Sequence, residues 1–475
     1  MKKKTSNKQD LILKDKNILK GLLILSLPVM LNNILKSFHD MVDIILVGNM
    51  DRDVAIRTAQ KGAIGFVGPV LSICMALAAG LMIAGVAIIS QYIGAKREDK
   101  AKKVSGQLLL LCIIVGVVFN IILYFSTPAI LDMMKVLPDV REPAIKYLQI
   151  RSFELVGLFI FYAYQASCQA SGDTINPVIW NVASIVINMV LTALFVLGFD
   201  MDLTGAAIAT VIANNIIILP CIIHMCKRNY TKLELKDLVP NWHYIGKLFK
   251  LGLPSAASQA FTSLGFLMIN TMMSSHLQNL QDGASVLSAI TTGNRINSML
   301  LFPAMGVGTV LSTYVGQNIG AGNVKRAKKT FVYAVFLSMI ISVVGILILM
   351  PLRGAAASAM GAESSELELC KQYLYYLLLG LPLMSIFQCF NGVFQGAGRT
   401  ELSLTLSTIR LWVFRVPVLY LMLFVFDIGI KSVWICMNIS NFGAFFLGAF
   451  LYLLVDFKPR ISGIKKKLSK ELEVA

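Results

Sequence analysis

The chain has 475 residues, of which 56% are apolar and 15% charged, with a formal net charge of +17 at pH 7. A typical soluble domain is about 45–50% apolar and about 25% charged, so this composition excludes an ordinary soluble enzyme, a disordered chain and a small secreted scaffold. It predicts a polytopic membrane protein.

The apolar residues are arranged in long segments along the chain. Nine segments contain no Asp, Glu, Lys or Arg, and each exceeds the roughly 20 residues that a helix needs to cross a bilayer. Three more, near residues 21–47, 144–170 and 402–426, are interrupted, which brings the predicted spans to twelve. Backbone groups in lipid must be bonded within the segment, so we expect helices. The charge-free segments are 62–95, 104–131, 174–199, 203–226, 251–281, 296–324, 330–352, 372–398 and 432–455.

The positive charge is distributed unevenly between the two predicted sides of the membrane. With the N-terminus inside, 29 of the 43 Lys and Arg residues lie in inner segments and 10 lie in outer loops. This bias follows the positive-inside rule, so the basicity orients the protein and requires no nucleic acid partner. We expect a multi-pass plasma-membrane protein with both termini in the cytosol.

Four motifs recur at a constant offset of 226 residues. The pairs are residues 25–28 and 251–254, Gly80 and Gly306, 91–103 and 317–329, and 169–172 and 395–398. Both copies of the basic Gly-Ala loop should be cytosolic, so an even number of spans separates them. The repeat therefore predicts two parallel six-helix bundles, a plan found in transporters with a central site. The predicted organisation is a cytosolic tail (1–20), an N-lobe with spans 1–6 (21–226), a cytosolic linker (227–246), a C-lobe with spans 7–12 (247–456) and a second cytosolic tail (457–475).

The first span carries an unusual cluster of ionisable residues. On a helix, Lys36 with Asp40 and His39 with Asp43 are i,i+4 neighbours. Charged groups inside a membrane cost about 2.5–3.5 kcal/mol each on insertion scales, so a functional role is the default hypothesis. The alternative is a cluster at the outer rim, because Gly48 closes the span, and Lys36 could simply neutralise Asp40.

Further polar residues recur in other spans. The fifth span has a stripe at helical spacing, whose members are Asn181, Ser184, Asn188 and Thr192. They could line a cavity or form an ordinary polar contact between helices. Repeat-related positions in the second half are polar but carry no acid: Ser258, Gln259, Thr262 and Ser263 match the residues around Lys36, whereas Phe266 and Ile269 match Asp40 and Asp43.

Three arginines, Arg295, Arg410 and Arg415, lie within predicted spans of the second half. Arg410 is the repeat counterpart of Ser184 and is expected to face the central space, which would make a purely cationic substrate range less obvious. On a regular α-helix Arg410 and Arg415 are about 140° apart, so we expect that they do not share one face. Pairing or capping within the helix bundle is the alternative role for each.

Several motifs resemble the multidrug and toxic compound extrusion (MATE) family of the larger flippase-like superfamily. They are residues 41–48 (MVDIILVG), 91–95 (QYIGA), 172–174 (GDT), 315–322 (VGQNIGAG) and 395–400 (QGAGRT), and the resemblance covers roughly residues 21–454. It implies an ion-coupled efflux antiporter that works by alternating access. It also implies that Asp43 is the first-span carboxylate that binds the coupling ion and that Asn188 belongs to the first-lobe site.

The chain departs from the family pattern at several positions. Thr192 stands where the family often has an aspartate, and Gln165, whose repeat counterpart is Asn391, stands where an asparagine often occurs. Thr262 replaces an acid that some members carry in the seventh span. These departures put coupling schemes that depend on acids of the second half in doubt.

The sequence thus predicts an all-α membrane protein of twelve transmembrane helices that exports drugs or other amphipathic, often cationic, organic compounds in exchange for protons, with sodium as the alternative ion. No cofactor, metal or catalytic residue is expected, and we expect a monomer in the lipid bilayer. A lipid-linked oligosaccharide or lipid flippase is the alternative, and a membrane enzyme is disfavoured because the ionisable cluster lacks a nucleophile–base arrangement. The predicted ion-coupling residues are Asp43, Asp40, His39 and Asn188, and the predicted substrate-cavity residues are Lys36, Gln165, Asn181, Thr192, Gln259, Thr262, Asn391 and Arg410.

Overall fold

The computed structural model describes residues 9–48, 54–134, 136, 138–199, 201–227, 231–277, 283–360, 364–429 and 431–461. Within these ranges, side chains are described except at 37–48, 54–62, 65, 277, 283–285, 287, 364 and 365. The described residues form helices and no β-strand, which confirms the predicted all-α fold.

Helices follow one another through both halves of the chain, joined by short connections. The first half contains α1 (Ile18–Gly48), α2 (Val54–Gly94), α3 (Glu98–Met133), α4 (Pro138–Ser152), α5 (Glu154–Ala170), α6 (Ile175–Ala193), α7 (Asp202–Ile216) and α8 (Ile218–Lys227). The second half contains α9 (Trp242–Leu277), α10 (Gly283–Gly320), α11 (Val324–Ala359), α12 (Ser364–Gly396), α13 (Thr400–Thr408), α14 (Val416–Tyr420) and α15 (Lys431–Leu453). A 3₁₀ turn occurs at Leu235–Leu238, and π-helical segments occur at Leu194–Gly198, Ile409–Arg415 and Leu421–Val425.

Ten helical segments of the described residues are long and apolar enough to cross a membrane. The other two predicted spans are 144–170 and 251–281. The first is broken at Phe153 into α4 and α5, which have 15 and 17 residues. The second corresponds to α9, whose five serines, two threonines and one asparagine lower its hydropathy. The helical architecture is therefore consistent with twelve spans.

The sequence repeat is reproduced in backbone geometry. After α2 the amide of Arg97 donates to the carbonyl of Tyr92 at 2.9 Å, and after α10 the amide of Asn323 donates to that of Asn318 at 2.8 Å. The residue before each donor has a positive φ, 55° at Lys96 and 78° at Gly322. These turns are 226 residues apart, so the motif recurs because both halves end a long helix in the same way.

Close helix crossings explain why Gly80 and Gly306 recur. A Cβ at Gly80 would lie 2.5 Å from the carbonyl oxygen of Gly252 and 2.6 Å from the amide nitrogen of Ala256. A Cβ at Gly306 would lie 3.1 Å from the amide nitrogen of Met30. Met30 and Ala256 are themselves 226 residues apart. Each glycine therefore lets a long helix approach the first part of α1 or α9, as small residues do in membrane helix pairs.

The chain divides into two compact units, and the boundaries between these units fall inside α1 and α9. Among the described residues, the first unit contains Gln9 and residues 34–257, and the second contains residues 10–33 and 258–461. The predicted lobes, in contrast, keep each of these helices whole. The glycine crossings account for the difference, because the start of α9 packs on α2 and the start of α1 packs on α10.

Candidate functional site

The predicted polar stripe of the fifth span forms a buried face of α6. Ser184, Asn188 and Thr192 are all buried, and Asn181 is half-buried. The Ser184 hydroxyl lies 3.0 Å from the side-chain oxygen of Asn214. The spacing of three, four and four residues thus produces one face, as the helical period predicts.

Two oxygens of this stripe have no hydrogen-bond partner among the described residues. The amide nitrogen of Asn188, which is 2% exposed, donates to the hydroxyl of Thr210 at 3.0 Å, while its Oδ1 is unpartnered. Thr192 is 0% exposed, and its Oγ1 is also unpartnered. A buried polar atom without a partner is costly. These oxygens can therefore accept a hydrogen bond from water or coordinate a small cation.

A buried ion pair that the sequence analysis did not single out extends this network. Glu154 is 2% exposed, and Arg151 donates to its two carboxylate oxygens at 2.9 and 2.8 Å. The hydroxyl of Tyr147 accepts from Arg151 at 2.8 Å, and the amide of Asn214 reaches Glu154 at 3.4 Å. The sequence does contain a signal for this ion pair, because an arginine and an acid lie three residues apart inside an apolar segment.

The predicted residues of the first and fourth spans are placed only in part. Lys36 and Gln165 are half-buried on α1 and α5. His39, Asp40 and Asp43 lie on the backbone of α1, but their side chains are outside the described residues. Their part in the site therefore stays a prediction.

The second unit contains a cavity of about 350 Å³, here called the arginine cavity. Its walls come from α9, α10, α12, α15 and the π-helix Ile409–Arg415, and are mainly apolar and amide side chains. Arg410 and Arg415 are its two charged lining residues, and no Asp or Glu lines it within the described part of the chain. The cavity is therefore electropositive.

Both arginines are buried beside this cavity. Arg410 is 2% exposed, lies 4.2 Å from the centroid of the Phe387 ring and places Nη1 3.0 Å from the sulfur of Met384. Arg415 is 3% exposed and donates to the hydroxyl of Ser440 at 2.9 Å and to Oδ1 of Asn441 at 3.2 Å. The expectation that the two arginines cannot share a face is wrong. They lie five residues apart in a π-helix, where i→i+5 hydrogen bonding brings such residues nearly into line.

The π-helix also changes the repeat offset. The amide of Phe199 donates to the carbonyl of Leu194 at 3.0 Å, and that of Phe426 donates to Leu421 at 2.9 Å, so the offset here is 227. One residue has thus been added in the second half, where Ile409–Arg415 forms the wider turn. Arg410 remains the counterpart of Ser184, whereas Arg415 becomes the counterpart of Asn188.

The other predicted cavity residues of the second half lie outside the arginine cavity. Gln259 is exposed, and the hydroxyl of Thr262 donates to the carbonyl of Ser258 at 2.7 Å on its own helix. Asn391 is buried and accepts a hydrogen bond from Ser403. Among the residues predicted to face a cavity here, Arg410 is the one that lines it.

Comparison with known proteins identifies the family. The MatE family model matches residues 28–194 and 254–421, one match in each half of the chain. The chain belongs to the MatE family. It is an integral membrane transporter and not an enzyme, and the predicted family resemblance is confirmed.

Individual relatives are distant but span almost the whole MatE chain. A probable multidrug resistance protein YpnP of Bacillus subtilis (strain 168) is 26% identical, over 84% of this chain and 87% of that protein. A probable multidrug resistance protein NorM of Thermotoga maritima is 25% identical, over 88% and 89%. The solved outward-facing conformation of a multidrug resistance MATE family transporter of the MOP superfamily has a TM-score of 0.86 and 24% identity, over 94% of this chain and 97% of that one. The last likeness establishes the fold.

Proposed function

We propose that this MatE protein is a secondary active antiporter that exports drugs or other amphipathic organic compounds by alternating access, driven by inward proton movement. The observation that carries the proposal is the match of the family model to both halves. The names of its relatives, which describe multidrug resistance proteins, favour drug export over lipid flipping.

Ion coupling is assigned to the first half of the chain. His39, Asp40 and Asp43 lie on α1, and the counterparts of the two acids in α9 are Phe266 and Ile269, which cannot titrate. The unpartnered oxygens of Asn188 and Thr192 on α6 add acceptors in the same half. The acid and these acceptors support a site where a proton, or water that carries it, is bound.

Coupling requires that the ion bind the inward-open and outward-open states with different affinities, because a ligand without that difference shifts no equilibrium. A tenfold difference corresponds to about 1.4 kcal/mol. Protonation neutralises the Asp43 carboxylate in the apolar span and changes the electrostatic energy of the two states unequally. Asp43 is therefore the residue whose occupancy biases the cycle.

Protons suit this chain better than sodium. A sodium site needs several oxygen ligands at short range, and Thr192 supplies a hydroxyl where the family often has an aspartate. Lys36 and His39 are cationic or can become so within one or two turns of the acids, and they would oppose a bound cation. Histidine also titrates near neutral pH, which suits a proton relay. Sodium is the alternative that the experiment below addresses.

The proposal also covers the orientation of the protein in the membrane and its oligomeric state. The charge bias supports a cytosolic location for both termini, and we infer that the protein lies in the plasma membrane. Each half supplies its own described polar site, one on α6 and one in the arginine cavity. We therefore expect a single chain to suffice for transport.

The test is transport by purified protein in proteoliposomes, with ethidium and 2-naphthalenesulfonate as cationic and anionic test substrates. One arm imposes a pH gradient without sodium, and the other imposes a sodium gradient without a pH gradient. We expect substrate movement in the first arm and none in protein-free liposomes. Movement in the sodium arm alone would contradict proton coupling, and movement in neither arm for either compound would contradict the antiporter.

A further inference from the structure

The two halves of the chain differ in charge at repeat-related positions. On α1 the first half has Asp40 and Asp43, and the matching residues of α9 are Phe266 and Ile269, which line the arginine cavity. On α6 the first half has neutral Ser184 and Asn188, and the matching residues are Arg410 and Arg415. Around this cavity the second unit thus has apolar residues where the first half has acids, and arginines where the first half has neutral polar residues.

The two guanidinium groups lack acidic partners. Neither Arg410 nor Arg415 forms an ion pair within the described part of the chain. Nε of Arg410 has no hydrogen-bond partner there, and its Nη1 faces a thioether sulfur, which is a weak acceptor. Burying a charge is costly unless it is paired and hydrogen-bonded. The space available for a counter-charge is the arginine cavity itself.

We propose that the arginine cavity binds the acidic group of an amphipathic organic anion, a sulfonate, carboxylate or phosphate monoester, as a substrate of the transporter. The inference rests on the proposed function in taking this anion to be transported cargo. It adds a substrate class, organic anions, to the cationic compounds that the sequence predicts.

The two arginines have different roles in this site. Arg410 contacts the anion, because it lines the cavity, has no acidic partner among the described residues and has an Nε without a hydrogen-bond partner. Arg415 is held by Ser440 and Asn441, both neutral, so its charge is fixed in position but not cancelled. It supplies the second positive charge beside the anion. Charge-assisted hydrogen bonds of this kind are among the strongest in proteins.

The size and walls of the cavity favour an organic anion over an inorganic one. A volume of about 350 Å³ lies within the range of small-molecule pockets, and chloride or phosphate would leave most of it empty. Phe266, Leu377, Met384 and Met437 supply apolar and polarisable walls. Methionine adapts to differently shaped ligands. An aromatic or short aliphatic body therefore fits beside the charged group.

The experiment is a binding measurement on the full-length protein in phosphatidylcholine nanodiscs, by equilibrium dialysis without any gradient. The probes are 2-naphthalenesulfonate and 2-naphthyltrimethylammonium, which share a ring system and have opposite permanent charges. We expect the wild type to bind the sulfonate at least tenfold more tightly than the ammonium. Arg410→Gln should weaken sulfonate binding at least tenfold, and Arg410→Lys should weaken it less.

The matched control is Arg353→Gln, which removes a half-buried arginine of α11 that does not line the cavity. It should bind the sulfonate as the wild type does. Equal or tighter binding of the ammonium by the wild type would overturn the proposal, even if Arg410→Gln failed to fold. Wild-type affinity in folded Arg410→Gln, or displacement of the sulfonate by an equal concentration of chloride, would also overturn it.

This readout separates the two proposals. Sulfonate binding without transport of either compound would support the anion site but would contradict both the antiporter and the role of the anion as its substrate. Transport of ethidium by a protein that does not prefer the sulfonate would support the antiporter and contradict the anion site.

Discussion

The crossing of α2 and α9 at Gly80 gives a direct test of the packing. Gly80→Ala adds one methyl group to α2 where it meets the start of α9. The new Cβ would lie 2.5 Å from the Gly252 carbonyl oxygen and 2.6 Å from the Ala256 amide nitrogen, whereas ordinary contact begins at 3.4 Å. Both neighbours are backbone atoms, so no rotamer change relieves the clash.

The helices must therefore separate by about 0.9 Å, from 2.5 to 3.4 Å at the carbonyl oxygen. Overpacking of this kind typically costs about 1–3 kcal/mol. In a unit of this size, 1 kcal/mol corresponds to roughly 2–4 °C of melting temperature. We expect Gly80→Ala to lower the apparent melting temperature by about 2–12 °C, measured by fluorescence-detected size-exclusion chromatography after heating in one detergent.

The control is Gly68→Ala on the same helix. A Cβ at Gly68 has no atom within 4 Å, and alanine is the better helix former by up to about 1 kcal/mol. This variant should match or exceed the wild type. Equal melting temperatures for the two variants would refute the close crossing of α2 and α9.

Two further predictions concern the ion pair and the orientation. Glu154→Gln leaves Arg151 without its counter-charge and should destabilise the protein by about 3 kcal/mol, measured as a lower apparent melting temperature. The control is Glu142→Gln, which removes the acid of an exposed pair with Lys146 and should cost under about 1 kcal/mol. Cys226 is the exposed one of the eight cysteines. An impermeant maleimide should therefore label it from the cytosolic side, and Cys226→Ser should abolish the labelling. Reaction of Cys226 from the outside only would contradict the predicted topology.

The helices and the repeat could be predicted because short segments of the sequence carry the signal for each of them. Long charge-free segments specify spans wherever lipid must be crossed, and the glycine turns at Gly172 and Gly398, with φ of 79° and 68°, end helices in both halves. The helical period alone predicts that Ser184, Asn188 and Thr192 share one face, and all three are buried.

Features that depend on one extra residue or on distant partners could not be predicted. The π-helix Ile409–Arg415 shifts the repeat by a single position, and no side chain marks it. The sequence therefore predicts different faces for Arg410 and Arg415. The break at Phe153 has no proline or glycine to signal it. Glu154 became recognisable once its contacts with Arg151 and Asn214 were known.

The division of α1 and α9 between the compact units also depends on long-range packing. The sequence places a proline inside each helix, Pro28 and Pro254, but does not say which helices the residues before and after it contact. Gly80 and Gly306 mark the crossings, although their role is visible only when the opposing backbone is placed.

The central claim is that the carboxylate of Asp43 couples proton movement to export. The measurement that tests it most directly is efflux of a preloaded substrate under an imposed pH gradient in proteoliposomes that contain Asp43→Asn. Asp132→Asn, which removes an exposed acid paired with Arg141, is the matched control. The account predicts no gradient-driven efflux by Asp43→Asn, with equilibrium binding retained and the control fully active. Efflux by Asp43→Asn at the wild-type rate would contradict it.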